Sequence, residues 1–200
     1  QHVPMVVSTT QQPHGVIDTV ARRPMIVIAT PGAEPLVTPA DSHGYEAVAI
    51  LDAWTSLYAR GVDARIDVLN AWMRAVSLCK PRAEGGQALL IGESDRVLGQ
   101  SLVLWDSSRL SAYELEERRQ TALPPVLPCA CVWGRRDAVQ ALLRTLGVVD
   151  GDRAVVRVLD QDVPAVLGPV PIAPPATLDA RELDETRDRV KAIVRVPASY

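Results

Sequence analysis

Pro124-Pro125 constrains what this chain can fold into more than any other pair of residues. A proline has no amide hydrogen, fixes φ, and biases the residue before it toward extended backbone. A helix running into the pair therefore ends at Leu123. Tyr113-Glu-Leu-Glu-Glu-Arg-Arg-Gln-Thr-Ala reads as that helix. Ser111 is suited to cap it, with Glu114 completing a capping box, and Glu114 and Arg118 stand four apart in the favourable order. Directly after the prolines, Val126 to Trp133 is an apolar run with strand character. The chain thus divides at a charged helix with a hard stop, with one hydrophobic system on each side.

On the N-terminal side, Met25-Ile-Val-Ile-Ala-Thr30, Ala47 to Asp52 and Gln87 to Ile91 are apolar and short, the pattern of buried strands in one largely parallel sheet. Met5 to Ser8 is a further short strand, and Val16 to Ala21 one or two helical turns. Pro31 to Tyr45 carries three prolines and two glycines and reads as a long surface loop. Ile66, Leu69, Met73 and Val76 fall at helical spacing, which predicts a helix over Ala64–Ser77. Pro81 to Gly86 is a turn, and Ser94-Asp-Arg opens a helix to about Trp105. Strands separated by long crossovers predict an α/β fold. On the C-terminal side, Asp137 to Leu146 is an amphipathic helix with Gly147 as its C-cap. Ala154–Leu159 and Val190–Val196 are strands, Ala165–Ile172 is extended, and Leu178–Asp188 is loop with a helical turn. That order predicts a small α+β domain. The expected organisation is an α/β segment over 1–92, a helical junction over 93–125 and an α+β domain over 126–200.

The charge balance does not announce a free-standing nucleic-acid module. The formal net charge is −3, with 48% apolar and 22% charged residues, whereas such modules are usually basic. Positive charge is almost all arginine, with the modest pairs Arg22-Arg23, Arg118-Arg119 and Arg135-Arg136. Each pair has a plain reading as solvated surface. Arg118-Arg119, at the junction, is the best placed to touch a nucleic-acid backbone, although Glu114, Glu116 and Glu117 beside it weaken the local potential. No apolar run approaches the ~20 residues of a membrane span. Gln1-His-Val-Pro lacks both an initiator methionine and a charged leader, which reads as an interior stretch of something longer.

Familiar catalytic constellations are missing from the sequence. Cys129-Ala-Cys131 places two thiols on one face of a strand, but Cys79, His2, His14 and His43 are scattered and zinc takes four ligands; the plain reading is a pair of core cysteines. Glu84-Gly-Gly-Gln87 lacks the Lys-Ser/Thr of a phosphate-cradling loop. Asp52 closes a strand, where α/β sites collect, yet a lone carboxylate there reads more simply as a helix N-cap.

The order Tyr113, Glu117-Arg118-Arg119, Leu123-Pro124-Pro125 and then a strand resembles the junction before the C-terminal domain of the primosomal protein N′ (PriA) family of replication-restart helicases. Glu84-Gly-Gly-Gln-Ala-Leu-Leu-Ile91 is similar to the family's Gly-rich strand entry after helicase motif VI, and Leu167-Gly-Pro-Val-Pro171 to its L-G-P-x-P turn. The resemblance implies that the first segment is the back part of a RecA-like helicase lobe 2. It implies a C-terminal domain similar to a small-ribosomal-subunit protein, and a zinc-binding cysteine cluster lying upstream of the part matched here. The helicase signatures have decayed. Motif VI, Q-x-x-G-R-A-G-R, falls on Arg74 to Pro81, with its arginines on Leu78 and Pro81 and its glycines on Ser77 and Lys80. Motif V begins at Ala29-Thr30 and dissolves into the Pro31–Tyr45 loop, and the second acid of L-D-x-D falls on Trp54. A transition-state arginine neutralises charge on the γ-phosphate; leucine and proline cannot.

These readings give a divergent C-terminal part of a replication-restart protein, with no catalytic or metal residues of its own. The resemblance implies a cytoplasmic, nucleoid-associated protein that recognises abandoned forks and binds branched and single-stranded DNA. Single-stranded-DNA-binding protein and helicase-loading proteins are its implied partners, with no membrane. Arg118, Arg119, Arg22 and Arg23 are the candidate DNA contacts. An active ATP-driven helicase with arginines supplied elsewhere, and an unrelated α/β enzyme, are the alternatives.

Overall fold

The computed structural model describes residues 3–11, 15–38, 44–58, 61–146, 155–158, 161–173 and 188–195. The chain forms two compact units, Gln1–Tyr113 and Glu114–Tyr200, and the division falls inside a helix.

In the first unit the strands are β1 (Met5–Ser8), β2 (Thr19–Ala21), β3 (Ile26–Ala29), β4 (Leu36–Thr38), β5 (Ala47–Ile50) and β6 (Gln87–Leu90). They pair in parallel, β1 with β3, β2 with β4 and β5 with β6. Helix α1 (Ala64–Ser77) is the crossover between β5 and β6, as a parallel pair requires. Helix α2 (Arg96–Leu104) follows, capped by Asp95, whose carboxylate accepts the N–H groups of Val97 (2.8 Å) and Leu98 (3.1 Å). Ile50, Leu69, Trp72, Leu98 and Leu110 form the core, joining β5, both helices and the start of α3 (Ser107–Thr121).

Three sequence expectations change here. The single parallel sheet through Met25–Thr30, Ala47–Asp52 and Gln87–Ile91 is replaced by separate two-stranded ladders. The apolar run at β3 is not buried: Ile26 and Ile28, on one face of the strand, remain exposed. Val16–Ala21 is not helical: β-branched Thr19 and Val20 enter β2, whose partner β4 lies inside the stretch expected to be loop.

In the second unit β7 (Cys129–Arg135), α4 (Arg136–Thr145), β8 (Val155–Val158), β9 (Gln161–Pro164), β10 (Val166–Pro171) and β11 (Arg189–Arg195) follow α3. β10, β11 and β7 form an antiparallel sheet in that order, and β8 pairs with β9. One sheet face, with Val190 and Ala192, packs on Val139 and Leu143 of α4. The strand expected from Val126 begins only at Cys129: Pro128 cannot donate to a ladder, and Leu127 turns inward instead, its N–H bonded to Leu123 O. At the Leu167-Gly-Pro-Val-Pro171 turn the β10–β11 register shifts. Gly168 has φ 100°, and a Cβ there would lie 3.0 Å from Lys191 O, so only glycine fits. Gly147 and most of Leu178–Asp188 lie outside the described residues.

Candidate nucleic-acid interface

Helix α3 carries the residues that made the junction legible. It starts earlier than Ser111: Asp106 is the cap, its Oδ1 accepting Ser108 N–H (3.0 Å) and Ser108 Oγ–H (2.6 Å). Those bonds hold its carboxyl below the usual range. Ser111 sits inside the helix and donates to Ser107 O, so the expected capping box does not form. Tyr113 lies under the guanidinium of Arg65, 5.2 Å from its ring centre. At the other end Ala122 takes φ 52°, and the N–H groups of Ala122 and Leu123 return to Arg119 O and Arg118 O. This is a Schellman ending, completed before the prolines are reached.

The two junction arginines have different fates. Arg118 is nearly buried and faces Glu114, with Nη2 3.5 Å from its carboxylate and Nη1 3.4 Å from Pro124 O. Arg119 is exposed and pairs with Glu116 at 3.3 Å across one turn. Only Arg119 therefore presents its charge outward. Arg22 and Arg23, just past β2, are exposed; the Arg22 charge, after Lys80, helps keep Glu46 below the usual carboxylate range. They belong to the first unit, Arg118 and Arg119 to the second.

A residue that sequence reasoning passed over holds the same junction. Arg195 is 7% exposed. Its Nε donates to Ala122 O (3.1 Å), Nη2 to Thr121 O (2.7 Å) and Nη1 to Pro164 O (2.8 Å). It thereby satisfies carbonyls that a helix C-terminus leaves without intrahelical partners, and its charge suits that end of the dipole. Strand parity gave no signal for it, because Arg195 shares the parity of the exposed Lys191.

The stretch matched to motif VI is structural. Arg74, in the last turn of α1, lies 3.7 Å from Glu34, whose carboxylate also accepts Gly32 N–H. Leu78 caps α1, and its carbonyl accepts Tyr45 N–H at 2.9 Å. Helix α1 thus ends before Pro81, which instead precedes the 3-10 turn Arg82–Glu84. Glu84-Gly-Gly-Gln87 is a tight turn: Gly85 has φ 86°, and a Cβ on Gly86 would overlap Lys80 O. Lys80 is ion-paired with Glu46.

The remaining candidates are plain. Cys129 is half-buried, which pushes its thiol up, and Cys131 is exposed, so they are not a core pair. No group of three or more metal-ligating side chains exists among the described residues, and His2, His14 and His43 lie outside them. Asp52 offers its backbone carbonyl to Thr55 N–H and Oγ1–H; among the described residues its carboxylate caps nothing. No helix among the described residues is long and apolar enough to cross a membrane.

No family model matches the chain. It is 37% identical over 151 residues to the Mycobacterium tuberculosis protein named "Probable replication restart protein PriA", a match covering 76% of this chain and 21% of that protein. The same figures hold for the protein of that name from Mycobacterium bovis. The Mycobacterium leprae protein of that name is 35% identical over 135 residues, 68% of this chain and 20% of the relative. The chain belongs to the PriA replication-restart family. It spans about a fifth of the length of these PriA relatives. These relatives support the assignment of the chain to a PriA C-terminal region.

Proposed function

We propose that this chain is the recognition-bearing part of a replication-restart protein, which holds DNA at abandoned forks and recruits single-stranded-DNA-binding protein and helicase loaders without ATP-driven unwinding. The kinship with proteins named for replication restart supports the role. One observation carries the loss of unwinding. The two motif VI arginine positions are occupied by Leu78, which closes α1, and Pro81, which precedes a 3-10 turn. Neither can present a guanidinium to a phosphoryl group, and an arginine in that role is worth roughly 10³–10⁵ in rate. The residues here do not fit a nucleotide-hydrolysing site. The described residues hold no group of three or more zinc-ligating side chains.

We assign the DNA contact to Arg119, Arg22 and Arg23, the exposed members of the two arginine pairs. With a net charge of −3, binding through these few cations is weak and strongly salt-dependent. Full-length protein should bind forked DNA and show no DNA-stimulated ATP hydrolysis. Hydrolysis that disappears on mutating the protein's own nucleotide site would overturn this reading in favour of an active helicase.

A further inference from the structure

The three-stranded sheet of the second unit has a face that α4 does not cover. Along β7, Cys129, Cys131, Trp133 and Arg135 share it, because side chains alternate along a strand. The ladder pairs Arg135 with Arg189, Trp133 with Lys191 and Cys129 with Arg195, and Lys191 in turn with Val170 of β10. One end of the face is closed by the junction, where Arg195 is buried against Thr121 and Ala122. The other end is open: Trp133 is 65% exposed and Lys191 is exposed. A tryptophan exposed to that degree in the middle of a strand has no packing role to explain it.

The charge of this open end is one-sided. Arg135, Arg189 and Lys191 surround Trp133, and no carboxylate occupies a strand position on the face. Arg135 is held by Asp137 at 3.0 Å, and Asp188 beside Arg189 is engaged by Arg136. Arg189 and Lys191 make no ion pair among the described residues. An indole flanked by such cations matches what unpaired bases and their phosphates require, a stacking plane with positive charge one strand away. In a chain of net charge −3, this local excess adds a cationic surface distinct from Arg119, Arg22 and Arg23.

We propose that the Trp133–Arg189–Lys191 face binds single-stranded nucleic acid, one base stacking on Trp133 and the adjacent phosphates lying on Lys191 and Arg189. This rests on the reading of the chain as DNA-recognising, and it names the surface that takes the single strand. The test titrates the full chain with labelled oligothymidylate and with a blunt duplex of equal length, by fluorescence anisotropy at several salt concentrations. Trp133→Ala should weaken oligothymidylate binding by about 5- to 150-fold, with Trp133→Phe recovering most of it. Duplex binding should be unmoved. Arg189→Ala and Lys191→Ala should each flatten the salt dependence by about 0.7 in log–log slope. Trp133 and Lys191 are exposed and Arg189 is half-buried, and circular dichroism with thermal melting checks that the variants fold. Oligothymidylate binding by Trp133→Ala within twofold of the parent overturns the proposal, also where the same variant loses a protein partner. An equal loss on duplex overturns it too. A parent chain that binds no DNA sinks this proposal together with the wider reading; sensitivity to Arg119→Ala without sensitivity to Trp133→Ala sinks this one alone.

Discussion

Replacing Arg195 by alanine tests the architecture of the junction most directly. The side chain is 7% exposed and delivers its hydrogen bonds to the carbonyls of Thr121, Ala122 and Pro164. Truncation leaves three acceptors behind. A net hydrogen bond is worth about 1 kcal/mol, and an acceptor left buried without a partner costs about 1–3 kcal/mol. Water can enter the space vacated by so long a side chain, so the lower end applies to at least part of the site. The expected loss is roughly 3–5 kcal/mol for the second unit. Arg195→Lys keeps the charge at the helix C-terminus but loses the fork that reaches three carbonyls at once, so about half the loss should persist. Urea unfolding, followed by circular dichroism and Trp fluorescence, reads the change in midpoint. In thermal melting each kcal/mol corresponds to about 4–8 °C in a unit of this size. An Arg195→Ala chain within 1 kcal/mol of the parent, or an Arg195→Lys chain indistinguishable from it, would refute the claim that the fork ties β11 to α3.

The junction arginines should separate in the same assays. Arg118→Ala removes the cation that faces the nearly buried Glu114 and should cost about 3–5 kcal/mol, whereas exposed Arg119→Ala should cost less than about 1 kcal/mol while weakening DNA binding and lowering the salt slope by about one. Gly86→Ala, whose Cβ meets the Lys80 carbonyl, should destabilise by roughly 1–3 kcal/mol and by more than Gly85→Ala, as urea midpoints would read. Asp106 has its pKa lowered by Ser108; its contribution is present above the unfolded carboxyl pKa and is lost as pH falls through the folded value. Acid titration of α3 stability should therefore flatten in Asp106→Asn, and an unchanged pH profile would remove Asp106 as the cap.

What could be read from sequence follows the physics of each element. Helix α1 was legible to the residue, because a 3.6-residue period marks a buried stripe. Strands β7, β10 and β11 were legible as strand or extended chain but not in their bounds, since Pro128 sets the start of β7 while the apolar run begins earlier, and β9 was not legible at all. The pairing of β1 to β6 was not legible: three- and four-residue apolar strands satisfy several registers equally, and tertiary context selects among them. Arg118 and Arg119 looked alike in sequence. They differ because α3 turns one toward Glu114 and Pro124 and the other toward solvent, which a dipeptide cannot specify. Arg195 was hidden for a related reason: its partners are backbone carbonyls, which leave no trace in residue identity.

The proposed absence of motif VI chemistry at Arg74–Pro81 is compatible with the way this segment is held. The segment from Leu78 to Lys80 is held through main-chain atoms: Leu78 O accepts Tyr45 N–H, and Lys80 N–H donates to Tyr45 O. Gly44 at φ 75° packs against the Leu78 carbonyl too closely to admit a Cβ. None of these contacts depends on the side chain at 78. A guanidinium could therefore be exchanged for leucine there without disturbing the crossover from α1 to β6, which is what the first unit needs in order to close its core. Chemistry carried by side chains can be lost one residue at a time, whereas a turn fixed by φ and by backbone bonds resists change at every position it uses. The consequence runs in reverse as well. Leu78→Arg together with Pro81→Arg should leave the fold intact, because both positions are addressed through the backbone or exposed, and on the proposed reading should still give no ATP hydrolysis in the full-length protein, because that reading places a decayed motif V in the loop after β3. Hydrolysis restored by those two substitutions alone would show that the rest of the site had survived.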